Sequence, residues 1–185
     1  MDHEVIERLQ KVKLTSKEGR VIQVRPTQRE KILEECLLSL FGRFLTTKQT
    51  NLRVAKNLLR NSWKFGADLK IIEVGEGSLL FKFTIDSQLQ WVIHNRPWCF
   101  DNHVLLLRRW EQGLTAGNIS FTHCPMWVQV WGLPFDLFFK EVGQDISLEL
   151  GRVIEVDCKG LNSDQARFLR IQVEIPLDRP LRHGS

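Results

Sequence analysis

The run Trp127-Val-Gln-Val-Trp-Gly-Leu-Pro134 constrains the fold more than any other stretch of the chain. In an extended strand Val128 and Val130 face one way, and Gln129 and Trp131 face the other. Gly132 and Pro134 then stop the strand. Behind them, Phe138, Phe139, Val142, Ile146 and Leu150 predict an amphipathic helix over Asp136–Leu150, with Gly151 placed to end it. Two alternating runs, Gly151–Asp157 and Arg167–Ile175, predict two more strands. Strand, helix, strand, strand is the opening of a split βαβ unit. The final helix and strand are missing, so this partial unit needs a surface from the first half, or from another chain, to cover its sheet edge.

The first half reads in a similar way. Val5, Ile6, Leu9 and Val12 predict a short helix over residues 1–13, and Arg20–Arg25 predicts a strand closed by Pro26. Thr27-x-x-Glu30 has the form of a capping box, and apolar residues from Ile32 to Phe44 predict a core helix behind it. A second helix is predicted over about residues 51–65. Leu69–Val74 and Ser78–Ile85 predict a hairpin around Gly75-Glu76-Gly77. A short helix follows, with a second capping-box pattern at Ser87-x-x-Gln90, and then a strand over Val104–Trp110. The elements sum to βαββαβ with one extra helix, which leaves the other face of the sheet free to bind. The expected fold is therefore α+β: a ferredoxin-like, RRM-like unit with a partial βαββ unit packed against it. Its divisions are an arm at 1–19, the first unit at 20–113, the second at 114–178 and a tail at 179–185.

Charge matters because it is uneven. Residues 1–113 carry 19 Lys+Arg against 13 Asp+Glu, and residues 114–185 carry 7 against 9, so a polyanion should prefer the first half. On the second helix Leu52, Ala55, Leu59 and Trp63 form an apolar stripe. Arg53, Lys56, Arg60 and Lys64 fall at i, i+3, i+7 and i+11 on the neighbouring stripe, and no acidic residue stands between Glu35 and Asp68. Such a row can lie along a phosphate backbone and release counterions at each contact, or it can be a solvated face. Arg108 and Arg109 beside Trp110, and Arg96 beside Pro97-Trp98, are further mixed basic and aromatic spots. Trp91, Trp98, Trp110 and Trp131 suit either base stacking or a core.

Other chemistries find less support. His94, Cys99, His103, His123 and Cys124 lack the paired spacing of a zinc site, and Cys99 reads as core. There is no nucleophile elbow, phosphate-cradling glycine loop or carboxylate constellation, so neither an enzyme nor a metal or other cofactor is expected. Asp136, Glu141 and Asp145 read as a solvated face. No apolar run approaches membrane-spanning length and no leader pattern opens the chain, which predicts an intracellular protein, of nucleus or cytoplasm, with reduced cysteines.

Several stretches carry a resemblance to a known family. Lys56–Trp63, Leu80–Phe83, Asn95–Trp98, Leu106–Trp110, Met126–Pro134 and Gly151–Asp157 together resemble the plant domain of unknown function 4283. The resemblance runs from about Val21 to Arg182. That family occurs in the reading frames of LINE-type retroelements, usually ahead of a CCHC zinc knuckle. It implies a Gag-like or first-frame-like role on RNA or single-stranded DNA, in an active element or a host gene derived from one. No such knuckle stands within these 185 residues, so strong binding could reside in a segment outside them. Compared with an RNA-recognition motif, Ser78 and Leu80 occupy the exposed aromatic positions of the third strand, and Gln129 the stacking position of the second unit's opening strand. Backbone charge is then expected to dominate binding, with low sequence preference. The alternative is a protein–protein or self-assembly module, a homo-oligomer built on the open sheet edge and the aromatic surface.

Overall fold

The computed structural model describes residues 26–157 and 168–180. The chain divides into two units, Met1–Leu33 and Glu34–Ser185. The expected helix at 1–13, the strand at Arg20–Arg25, the side chain of Thr27, Cys158 and the tail from 181 lie outside the described residues.

The core helix expected from Ile32 to Phe44 is not formed. Helix α1 covers Pro26–Leu37 and stops there, while Ser39–Phe44 is strand β1. Ile32 and Leu37 are 57 % and 60 % exposed, so the helical stripe is not a core face. The spacing of Leu40, Phe41 and Phe44 fits a helix and a strand equally well. Pairing on both sides decides between them: β1 is hydrogen-bonded to β3 (Ser78–Phe83) and to β5 (His103–Arg109). Tertiary pairing of this kind overrides local propensity. Gly42, a poor helix residue, lies under the Phe81 ring, where a Cβ would stand 2.5 Å from Cε2.

The remaining elements of the first sheet follow in turn. Helix α2 is Leu52–Trp63, strand β2 is Leu69–Gly75, helix α3 is Asp86–His94 and strand β4 is Trp98–Phe100. The hairpin between β2 and β3 turns through positive φ at Gly75, Glu76 and Gly77. The strand order is β2-β3-β1-β5-β4, all pairs antiparallel. From β1 to β5 the chain runs βαββαβ, with the extra strand β4 folded back on β5. The Ser87 capping box is not formed: Ile85 is the cap without a side-chain bond, and the Gln90 amide turns to the Asp86 carboxylate.

One face of this sheet carries Leu40, Phe44, Leu79, Phe81, Phe83, Leu105 and Leu107, covered by Ala55, Leu59 and Trp63 of α2 and by Leu89 and Val92 of α3. Trp63 is the centre of an aromatic cluster, with Phe81 at 5.1 Å, Phe83 at 6.3 Å and Trp98 at 5.5 Å between ring centroids. Cys99, expected as core, is exposed: in the short strand β4 its neighbours Trp98 and Phe100 point inward and it points out.

The second sheet holds β6 (His123–Trp131), β7 (Arg152–Asp157) and β8 (Phe168–Pro176) in the order β6-β8-β7, antiparallel throughout. Helix α4, Lys140–Leu148, is shorter than expected, because Phe135–Leu137 forms a separate 3-10 turn. Phe138, Leu169, Ile171, Val173 and Ile175 are the buried core, with Val128, Val130, Ile146 and Val156 packed around it. Val128 and Val130 point inward as their alternation predicts, and Trp131 points out, 59 % exposed.

Candidate nucleic-acid interface

Helix α2 is defined by its ends. Asn51 Oδ1 accepts from the Val54 N–H at 3.2 Å, capping the first turn, and Lys64 closes the last turn in the left-handed region with its N–H on the Arg60 carbonyl at 2.9 Å. Its buried residues, Ala55, Leu59 and Trp63, fix the rotation of the helix on the sheet. That rotation leaves Arg53 and Arg60 exposed on one flank. Lys56 lies between them but reaches across to Glu73 of β2 in an ion pair. Lys64 is not a fourth helical position but the cap residue, and it is exposed. Among the described residues Arg53, Arg60 and Lys64 have no carboxylate partner.

The other three predicted cations belong to different surroundings. Arg109 is exposed, with no carboxylate partner among the described residues, and sits on the helix-covered side of β5 opposite Leu40. Arg108 points to the opposite face, where its Nη1 donates to the Ser120 carbonyl at 3.0 Å and its Nη2 lies 3.4 Å from Glu111. Arg96 is half-buried, and its Nε donates to the Ile93 carbonyl at 2.7 Å. Burial lowers the Arg96 pKa from its ordinary value, with nearby Glu174 opposing. Arg96 and Arg108 are thus tied to backbone carbonyls, whereas Arg109 is exposed to solvent.

The helix-free face of the first sheet is not open, which corrects the expectation of a free binding face. Phe41, Leu106, Ser39 and Ser78 on that face are buried. The connection after β5 lies across it: Arg108 holds Ser120, and the Arg43 guanidinium stands 5.6 Å from the centre of the Phe121 ring. Ile119 beside them is buried. The turn residues of this connection, Gly113 and Gly117 among them, carry no sign in the sequence of the face it covers.

The second sheet differs. On its helix-free face the register sets Trp127 opposite Gln172, Gln129 opposite Arg170 and Trp131 opposite Phe168. The Arg170 guanidinium lies over the Trp127 ring at 4.2 Å, and the Trp131 and Phe168 rings are 4.8 Å apart. Phe168 and Arg170 carry no sequence signal of a site, and Trp127 reads there only as the start of a strand. The alternation Trp127-x-Gln129-x-Trp131 was the available signal.

Residues 32–116 match the family model described as Domain of unknown function (DUF4283). The DUF4283 match covers the first sheet, so it is narrower than the resemblance over residues 21–182, and β6 to β8 lie outside it. An Arabidopsis thaliana protein described as uncharacterized protein At4g02000 is 29 % identical over 99 residues, which is 54 % of this chain. The matched stretch is 30 % of that relative's length.

Proposed function

We propose that this chain is a nucleic-acid-binding module that holds single-stranded RNA or DNA chiefly by its phosphates, along the exposed flank of α2. The observation that carries the reading is the set Arg53, Arg60 and Lys64: exposed, without carboxylate partners among the described residues, in a stretch with no Asp or Glu between Glu35 and Asp68. Each phosphate contact releases counterions, so affinity depends steeply on salt. Arg96 and Arg108, held by backbone carbonyls, are left out of the contact set. The resemblance to plant LINE-type reading frames supports a retroelement-derived, Gag-like role, in which an adjoining zinc knuckle would add affinity.

The test is a salt titration of binding to a random single-stranded oligonucleotide, by fluorescence anisotropy. Replacing Arg53, Arg60 and Lys64 with Gln should weaken binding and flatten the log–log salt slope by about 2, near 0.7 per contact on single strands. An unchanged slope and affinity would remove the α2 flank from the function.

A self-assembly module is the second reading, favoured by the edge of β6. The Thr122 carbonyl accepts from the Leu177 N–H at 2.9 Å, so even-numbered residues of this strand turn their backbone groups toward β8. Trp127, Gln129 and Trp131 then turn theirs to the open edge, where a strand from a second copy could pair. A concentration-dependent oligomer in light scattering, indifferent to oligonucleotide, would support it.

A further inference from the structure

We infer that the helix-free face of the β6-β8-β7 sheet binds the bases of single-stranded nucleic acid, with Trp131 and the Arg170–Trp127 pair as its two stacking positions. This rests on the nucleic-acid reading above but uses a different surface, one outside the DUF4283 match. Three features of the face carry the inference.

The first is geometry. Trp127, Gln129 and Trp131 project on the same side of β6, and Phe168, Arg170 and Gln172 on the same side of neighbouring β8. Trp131 is 59 % exposed and is braced along one side by Phe168, which fixes the ring while leaving surface for a base. Arg170, exposed and held over Trp127 at 4.2 Å, offers a guanidinium plane on which a base can stack and a charge that a phosphate can meet. Trp127 and Trp131 are about 13 Å apart along β6, with the exposed Gln129 amide between them, beside Arg170, to meet a base edge.

The second feature is continuity. Toward its other end the same face passes the buried Gln172 and reaches a cavity of about 600 Å³ between β7, β8 and α3, lined by Ile154, Gln172 and Trp91. Trp91 is 41 % exposed there and is held by Phe65 and Trp98. A strand of nucleic acid lying on Trp131 and Arg170 therefore has a recess ahead of it with the Trp91 ring in its wall.

The third is the distribution of charge. Glu155, exposed on β7, stands opposite Gln172. Its carboxylate repels phosphate, which favours the sugar–phosphate chain on the β6 side and the bases over β8. The corresponding face of the first sheet is closed by Ile119 and Phe121, which makes the second sheet the one with an accessible platform.

The experiment compares the full chain with Trp131→Ala, Arg170→Ala, Trp131→Phe and Glu155→Gln, by anisotropy on a labelled 12-mer oligo(dT) and on a blunt duplex. Folding is controlled by near-UV circular dichroism. Trp131→Ala and Arg170→Ala should each lose roughly 5- to 150-fold on the single strand. Trp131→Ala should leave the salt slope and the duplex affinity unchanged, whereas the α2 Gln variant lowers both. Trp131→Phe should restore most of the loss, and Glu155→Gln should tighten binding. Full single-strand affinity in Trp131→Ala, alongside a weakened α2 variant, overturns the platform and leaves the α2 reading standing. The reverse pattern keeps the platform and removes the α2 flank. A dimer abolished by Trp131→Ala but unaffected by oligonucleotide assigns the face to a protein partner and overturns the inference.

Discussion

The side-chain amide of Gln172 donates to the backbone carbonyl of Arg96 at 2.8 Å, across 76 residues of sequence, and this bond joins the second sheet to the first. Gln172 is 4 % exposed, so its amide has no solvent to fall back on. Replacing it with Leu strands the Arg96 carbonyl in a part-buried joint, at a cost of about 1–3 kcal/mol. The urea midpoint of the full chain should fall accordingly. A midpoint equal to the parent's would mean that the joint is held by other contacts.

Gly42 sets a second test. It lies in the central strand of the first sheet, and an added Cβ would stand 2.5 Å from Phe81 Cε2 and 3.2 Å from Leu105 and Leu107 methyls. Phe81 is fully buried, so its ring has little room to yield. Gly42→Ala should destabilise by about 1–3 kcal/mol through overpacking, although alanine is the better residue for an isolated helix. A gain in stability would indicate that the segment is helical after all.

Arg53 separates stability from binding. It stands in the first turn of α2, which has no acidic residue, and a cation there opposes the helix dipole. Arg53→Glu should raise stability by about 0.3–1 kcal/mol in low salt, read from thermal unfolding, while weakening oligonucleotide binding. If both properties rise together, Arg53 is not a phosphate contact.

The cysteines give a chemical readout. Cys99 is exposed, whereas burial pushes the Cys124 thiol from 9.0 up to about 11, with Arg96 partly opposing. Iodoacetamide at pH 8 should modify Cys99 and spare Cys124 until the protein unfolds, as resolved by peptide mass spectrometry. Between pH 9 and 11 the folded thiol keeps a proton that the unfolded one has lost, so this group's contribution to stability falls as pH rises. Cys124→Ala should therefore show a shallower loss of stability over that window than the parent.

The sequence by itself determined the elements whose period was unambiguous. Alternation gave β6 with Val128 and Val130 inward, and the spacing of Ala55, Leu59 and Trp63 gave α2 and its cationic flank. It also gave the βαββ order of the second half, because each strand there has one polar and one apolar face. Only the tertiary structure decided the rest. Leu40-Phe41-Gly42-Arg43-Phe44 fits two periods, and the choice of strand came from β3 and β5 pairing on both sides of it. Whether a cation is free depends on what the fold brings opposite it. Lys56 meets Glu73 and Arg108 meets Ser120, while Arg53 and Arg60 stay in solvent. The closed first face and the open second one have the same origin: a side chain's direction is local, but the segment that covers it arrives from elsewhere in the chain.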